Sequence, residues 1–214
     1  MFIVALRVRT WRAVYNSGVR AIPLLVLLVA ALQAQTARVL LDTEQGSIEV
    51  ELDLRHAPLT SANFLKYVDA GAYNGGQFHR TVRRDNQPAN RIRIEVIQGG
   101  TRPGGRAPGD QPIPLERTNR SGLKHLDGVI SMARDTPDTA TSDFFICIGD
   151  QPSLDFGGMR NPDGQGFAAF GRVVAGMNVV RKIHQAPAQE QNLNPPVKIL
   201  KATRCGGVRG TCVP

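Results

Sequence analysis

The chain has 214 residues, 42% of them hydrophobic and 21% charged, a globular composition that excludes global disorder and leaves room for one domain with a real core. The formal net charge is +8, but Arg7, Arg9, Arg12 and Arg20 precede the first long apolar run and no acid precedes Asp42, so setting those four aside leaves +4. A mild excess of that size, with no block of like charges and no aromatics interleaved with basic residues, gives no reason to expect a nucleic-acid partner.

Residues 1–20 are basic and free of acids, residues 21–32 (AIPLLVLLVAAL) are continuously apolar, and small residues follow at 33–37. That order is the one of a leader segment, with cleavage expected after Ala34. The run is short for a membrane span of about 20 residues. An uncleaved anchor, favoured by the long basic region, and a buried helix are the alternatives. Cleavage or anchoring divides the chain into 1–34 and a domain at 35–214, and places that domain in the periplasm or otherwise outside the cytoplasm. A membrane partner is expected only if the segment is retained. Cys205 and Cys212 flank a Gly-rich hexapeptide and can close a disulfide in an oxidising compartment. Cys147 sits in the apolar run 144–148 and reads as a buried thiol. No metal is expected: the cysteines have no ligand-spaced partners, and Asp135, Asp138 and Asp143 lack the spacing of a calcium loop.

In chain order, 38–41 and 47–52 read as strands joined by a hairpin turn at 43–46. Thr60 is the expected N-cap of a helix that Pro58 opens and Gly71 ends. The stretch 77–100 reads as two half-buried strands around a long polar excursion, with Phe78 and Val82 alternating on the first and Ile92, Ile94 and Val96 on the second. Arg80 and Gln98 lie on these strands; from the residues alone, Arg80 is as readily a solvated charge as a site residue. The Gly/Pro-rich stretch 101–114 is a loop without a phosphate-binding motif. Strands are expected at 128–133, 144–148, 167–173 and 197–202, a turn at 134–143, a long loop at 150–166, and a second helix at 176–183. His125 and His184 read as lone histidines without partners, and His79 as making a structural hydrogen bond. Many short strands with only two helices, not alternating with them, point to a mainly β fold: a largely antiparallel closed sheet or a sandwich.

Five blocks in order, FHR (78–80), QGG (98–100), GVISMAR (128–134), SDFFICIGDQPSLD (142–155) and FGRVVAGMNVVRKI (170–183), strongly resemble the cyclophilin-type peptidyl-prolyl cis-trans isomerases. The resemblance covers about residues 38–205. It implies a closed eight-stranded antiparallel β-barrel capped by two α-helices, and catalysis of X–Pro rotation in proline-containing polypeptides. No cofactor is expected, and with no exposed apolar helix to point to assembly, a monomer is expected. By position, Arg80 matches the family's catalytic arginine and Gln98 the glutamine that orients it. Phe145 matches the floor of the proline pocket, with Val96, Leu154 and Phe167 as its walls. Ala133 and Arg134 match the pair whose backbone binds substrate. Without the resemblance, Val96, Phe145 and Leu154 read individually as core. Glu95 falls where the family has a pocket phenylalanine, Asp143 replaces a glutamine, Arg134 an asparagine and Ser153 a rim aromatic. Residues 83–91 and part of 156–165 read as insertions.

The implied chemistry makes and cuts no bond, so it needs neither nucleophile nor metal. Rotation is slow because amide resonance holds the bond behind a barrier of about 18–20 kcal/mol. An always-charged arginine donating to the pyramidal prolyl nitrogen favours the twisted amide, while an apolar cup holds the ring. The competing expectation is a peptide-binding module of the same fold with weak catalysis, motivated by Glu95, Asp143 and Ser153.

Overall fold

The structure is a computed structural model that describes residues 35–206 other than 103, 106 and 108, together with residue 212. The leader or anchor expected at 1–34 lies outside the described residues. The elements are β1 (Thr36–Thr43), β2 (Gly46–Asp53), α1 (Pro58–Asp69), β3 (Gln77–Val82), β4 (Val96–Gly100), α2 (Thr118–Ser121), β5 (Val129–Met132), β6 (Phe144–Cys147), a 3₁₀ turn (Pro152–Leu154), β7 (Ala168–Ala175), α3 (Met177–His184), β8 (Ala188–Gln189) and β9 (Asn192–Arg204).

Eight strands run β1-β2-β7-β5-β6-β4-β3-β9, and β9 pairs back onto β1, which closes the ring; β8 adds a short arm to β9. Every pairing is antiparallel. The expected barrel is therefore present. Closure leaves no long sheet edge for another chain to pair with.

Alternation divides the side chains. Leu41, Ile48, Val50, Phe78, Ile97, Phe144 and Ile146 enter one large core, which α1 joins through Phe64, Leu65 and Tyr67 and α3 through Val179, Val180 and Ile183. Phe144 sits edge-on to both Phe64 and Phe78, with centroids 5.4 and 5.7 Å apart. Each fully buried aromatic or large aliphatic side chain contributes about 1.5–3 kcal/mol. A second, smaller cluster of Val82, Ile94, Val96, Phe145, Cys147 and Leu154 stands apart from this core. Neighbours in sequence thus separate: Phe144 and Ile146 go inward, Phe145 and Cys147 to the outer cluster.

Several local expectations need correction. Thr60 is not the cap of α1. The helix starts at Pro58 after Ala57, without a side-chain cap of its own. Its free amides at Leu59 and Thr60 donate instead to the Glu116 carboxylate at 3.1 and 2.7 Å, a negative charge where the helix dipole favours one. Gly71 does end the helix, at φ 64°, which glycine adopts without strain. A one-turn helix, α2, adds to the two expected. Ile92 and Ile94 are not in a strand: β4 begins only at Val96. The Ile94 N–H and C=O are both taken by the Gln87 side-chain amide, at 3.3 and 2.6 Å, so neither is left for a partner strand. Cys147 is a buried thiol, and burial pushes its pKa far up. Cys205 and Cys212 are joined as a disulfide. Among the described residues, no helix is long and apolar enough to cross a membrane.

Candidate functional site

The site is a row across the sheet. Arg80 on β3 pairs with Gln98 on β4, Gln98 with Phe145 on β6, and Phe145 with Ser131 on β5. The next row outward is Val82, Val96 and Cys147. Cross-strand neighbours lie about 4.5–5.5 Å apart at Cβ, so the ladder itself places an arginine, an amide and an aromatic ring side by side. One irregularity makes this possible. The register slips between Phe78 and Arg80, with His79 as the extra residue of a β-bulge. Strict alternation would put Phe78 and Arg80 on one face. The bulge sends Phe78 into the barrel core and turns Arg80 toward the outer cluster. Gly99 opposite Phe78 and Gly100 beside Asp143 let ring and carboxylate pack on bare backbone, since a Cβ at either would collide.

Around this row opens a cleft of about 360 Å³. All eight site residues expected from the sequence, Arg80, Val96, Gln98, Ala133, Arg134, Phe145, Leu154 and Phe167, line it. Phe145 is the floor; Phe167 stands edge-on to it, with centroids 5.3 Å apart and planes at 89°.

The polar side is a chain of hydrogen bonds. Arg80 Nη1 donates to Gln98 Oε1 at 3.0 Å. Gln98 Nε2 reaches toward Asp143 Oδ2 at 3.5 Å. Arg80 Nε donates to Gln191 Oε1 at 2.9 Å, and Nη2 donates to the same oxygen. Both acceptors are neutral amides. Among the described residues, the ion pairs formed by arginines involve Arg38, Arg83, Arg84, Arg134, Arg172, Arg181 and Arg204, but not Arg80. Burial lowers the Arg80 pKa from its ordinary value, yet a guanidinium stays protonated at any pH a protein meets. The cleft therefore holds a fixed positive charge that, among the described residues, has no carboxylate at ion-pair distance, although Asp135 and Asp143 line the same cleft.

Arg134 faces the cleft differently from the expectation that only its backbone matters. Its side chain is fully buried, paired through Nη1 with Asp163 Oδ2 at 2.8 Å and donating from Nε to the Gly166 carbonyl at 2.8 Å. The guanidinium carbon lies 5.0 Å from the centre of the Phe167 ring. One arginine thus pins the 150–166 loop and holds Phe167 over the floor. The hydrogen bond from Arg134, which outweighs the Asp163 carboxyl's slight desolvation, keeps that carboxyl below the usual carboxylate range.

Glu95 does not enter the cup. It points away, accepting from Arg84 Nε at 3.0 Å, and Ile94 takes the wall position instead. Ser153 lies in the 3₁₀ turn, outside the cleft lining. His125 is not a lone histidine: buried beneath Phe145 at 6.0 Å, near-parallel, it meets Asp155 Oδ1 at 2.8 Å and Ser131 Oγ at 3.0 Å. Burial alone would raise the Asp155 carboxyl; the hydrogen bonds from the His125 side chain and backbone hold it below its ordinary value. His184 also has partners, contacting the Val82 carbonyl through Nε2 at 3.0 Å, and burial lowers its pKa. His79 lies 3.9 Å from Asp143 Oδ2, too far for the structural hydrogen bond expected of it.

Among the residues missed by sequence reasoning, Ile94, Arg160 and Gln191 bear most on the site. Arg160 lines the cleft and donates to Gln87 Oε1 at 3.1 Å and the Ile92 carbonyl at 2.7 Å. Burial, and then the charge of Arg80, lower its pKa. Nothing local distinguishes these positions; each is brought in by a loop.

A family model, "Cyclophilin type peptidyl-prolyl cis-trans isomerase/CLD", matches residues 38–204. The peptidyl-prolyl cis-trans isomerase A of Dickeya dadantii is 40% identical over 161 residues, which are 75% of this chain and 76% of that one. A peptidyl-prolyl cis-trans isomerase of Acinetobacter baylyi is 33% identical over 180 residues, 81% of this chain and 88% of that one. The crystal structure of a cyclophilin-type isomerase from Cryptosporidium parvum superposes with a TM-score of 0.64 at 22% identity, over 80% of this chain and 99% of the other, and shows the shared fold. The chain belongs to the cyclophilin-type peptidyl-prolyl cis-trans isomerases. Its activity is that of the family, rotation about X–Pro peptide bonds.

Proposed function

We propose that Arg80 is the group that lowers the rotation barrier, that Gln98 orients it, and that Phe145, Val96, Leu154 and Phe167 form the cup for the proline ring. The observation that carries this is the row of Arg80, Gln98 and Phe145, which sets a guanidinium held by neutral amides beside an apolar floor. Of the five N–H bonds of Arg80, one on Nε, one on Nη1 and one on Nη2 are engaged, which leaves two for substrate. As the amide twists, the prolyl nitrogen regains its lone pair and becomes an acceptor. A donor fixed there binds the twisted state better than the planar one, which is what acceleration requires. Ala133 and Arg134 offer strand-end backbone to the peptide.

The clients are exported polypeptides with slow X–Pro bonds. The basic and apolar order of residues 1–34 supports this, as does the Cys205–Cys212 disulfide, a bond that persists in oxidising compartments. N-terminal sequencing of the exported protein checks it: a start at Gln35 fits the leader reading, and a retained Met1 fits the anchor.

The activity test is cis-to-trans isomerisation of a short X–Pro peptide. Arg80→Ala is expected to lower kcat/KM by about 10²–10³-fold, the worth of one oriented donor to a developing charge. A variant as fast as the wild type removes Arg80 from the mechanism.

A further inference from the structure

The guanidinium of Arg80 has open space on two sides. It lines the proline cleft, and it also lines a second cleft of about 740 Å³ between the 83–91 excursion and the β8–β9 turn. A long flexible side chain at such a junction can swing either way, and Gln98 holds only Nη1. The remaining hold comes from Gln191, whose Oε1 accepts from Nε and Nη2 together. Gln191 is itself fixed: its Nε2 donates to the Asn86 carbonyl at 3.2 Å. Asn86 in turn is locked by its side chain, which donates to the carbonyls of Thr81 and Glu190 at 2.9 Å each and accepts from the Arg83 amide at 2.7 Å.

We propose that Gln191 is a positioning residue for the isomerisation, and that the 83–91 excursion serves as its support. This rests on the reading of Arg80 given above. The choice of side chain follows from the chemistry. A carboxylate at the same place would hold the arginine as well but would neutralise the charge that the twisted amide needs; a neutral amide oxygen orients without quenching. Its carbonyl end faces Arg80 and its NH₂ end faces the excursion, so one side chain joins the inserted loop to the reacting group. The excursion, foreign to the family pattern, becomes the far wall of the arginine's cage.

The test is a two-residue cycle read by peptide isomerisation. Gln191→Met keeps the length and packing of the side chain and removes its three hydrogen bonds, the two from Arg80 and the one to the Asn86 carbonyl. It is expected to lower kcat/KM about tenfold, through kcat with KM little changed, because a misplaced reacting group loses rate more than ground-state binding. In the Arg80→Ala background the same change is expected to do nothing, since its whole effect passes through Arg80. Asn86→Ala, which touches no atom of Arg80, is expected to act in the same direction by a smaller factor. Melting curves on each variant separate misfolding from misplacement. The proposal is overturned if Gln191→Met stays within twofold of the wild type, or if it lowers the Arg80→Ala rate by the same factor as it lowers the wild-type rate. Should Arg80→Ala alone leave the rate unchanged, the reading of Arg80 itself falls, and that result is distinct from either.

Discussion

The two halves of the cleft are held in different ways. Arg80, Gln98, Val96 and Phe145 stand on β3, β4 and β6, where ladder hydrogen bonds fix each backbone position from both sides. Phe167, Arg160 and Ile94 stand in the loops or next to them, and their places depend on a few polar side chains, among them Arg134 for one loop and Gln87 for the other. The strand half holds the groups assigned to the chemistry together with the floor of the cup, and the loop half completes the cup's walls. A ladder shares its load over many bonds, whereas a pinned loop hangs on two or three. Damage to the strand half should therefore be felt by the fold, and damage to the loop half mainly by substrate affinity.

The largest expected effect tests the strand half. Phe145 is nearly buried between the His125 and Phe167 rings. Phe145→Ala removes the floor and leaves a void, at a cost of about 3–5 kcal/mol in unfolding free energy. Chemical denaturation measures this, and peptide KM should rise with it. A loss well under 1 kcal/mol would place Phe145 on a yielding surface and undo the contrast.

The loop half should respond more weakly, and with pH. Asp163 has a folded pKa below its ordinary value of about 3.9, set mainly by the Arg134 hydrogen bond. A depressed carboxylate contributes its stability above the unfolded value and loses it as pH falls through the folded one. Down to about pH 4 the pin should hold, and in stronger acid it should release. Asp163→Asn should raise KM modestly at all pH values and abolish this acid step, at a stability cost of about 1 kcal/mol or less, because Asp163 is itself exposed. KM and protease nicking of the 150–166 loop, followed from neutral to acid pH, provide the readout. An acid step that survives in the variant would assign it elsewhere, with Asp155, also depressed, as the next candidate.

What the sequence shows of all this follows the same division. The strand at 144–148 is legible, but all five of its residues are apolar, so its sequence does not separate the floor from the core; the structure does, because each strand residue has only two faces to choose from. Arg80, Gln98 and Phe145 are legible as candidate site residues through the resemblance, since they sit in its blocks. The bulge at His79 is not legible, because an extra residue in one strand shows only against the register of its partner. The same holds for Glu116 capping a helix 56 residues earlier and for His125 meeting Asp155 30 residues on. Side chains that reach across the fold leave no periodic trace. Ile92 and Ile94 mislead for a related reason: their spacing is that of a strand, but Gln87 satisfies the Ile94 backbone first.

Glu95 gives the smallest expected effect and the sharpest use of the contrast. Counted from Gln98, it stands where the family has a pocket aromatic, and a carboxylate in an apolar cup would be costly unless neutralised. The structure puts it on the other face, half-buried, paired at 3.0 Å with an Arg84 whose side chain is 76% exposed. Its neighbour Ile94 supplies the wall, because the excursion returns to the barrel with Ile94 and Val96 turned to the cleft. An ion pair with so exposed a partner contributes about 0–1 kcal/mol. Glu95→Gln should accordingly leave kcat/KM within twofold and stability within about 0.5 kcal/mol. Ile94→Ala, one residue away, should raise peptide KM. A strong loss of activity in Glu95→Gln with Ile94→Ala silent would mean that substrate meets the carboxylate, and that the loop half of the cup is built from the opposite face of this segment.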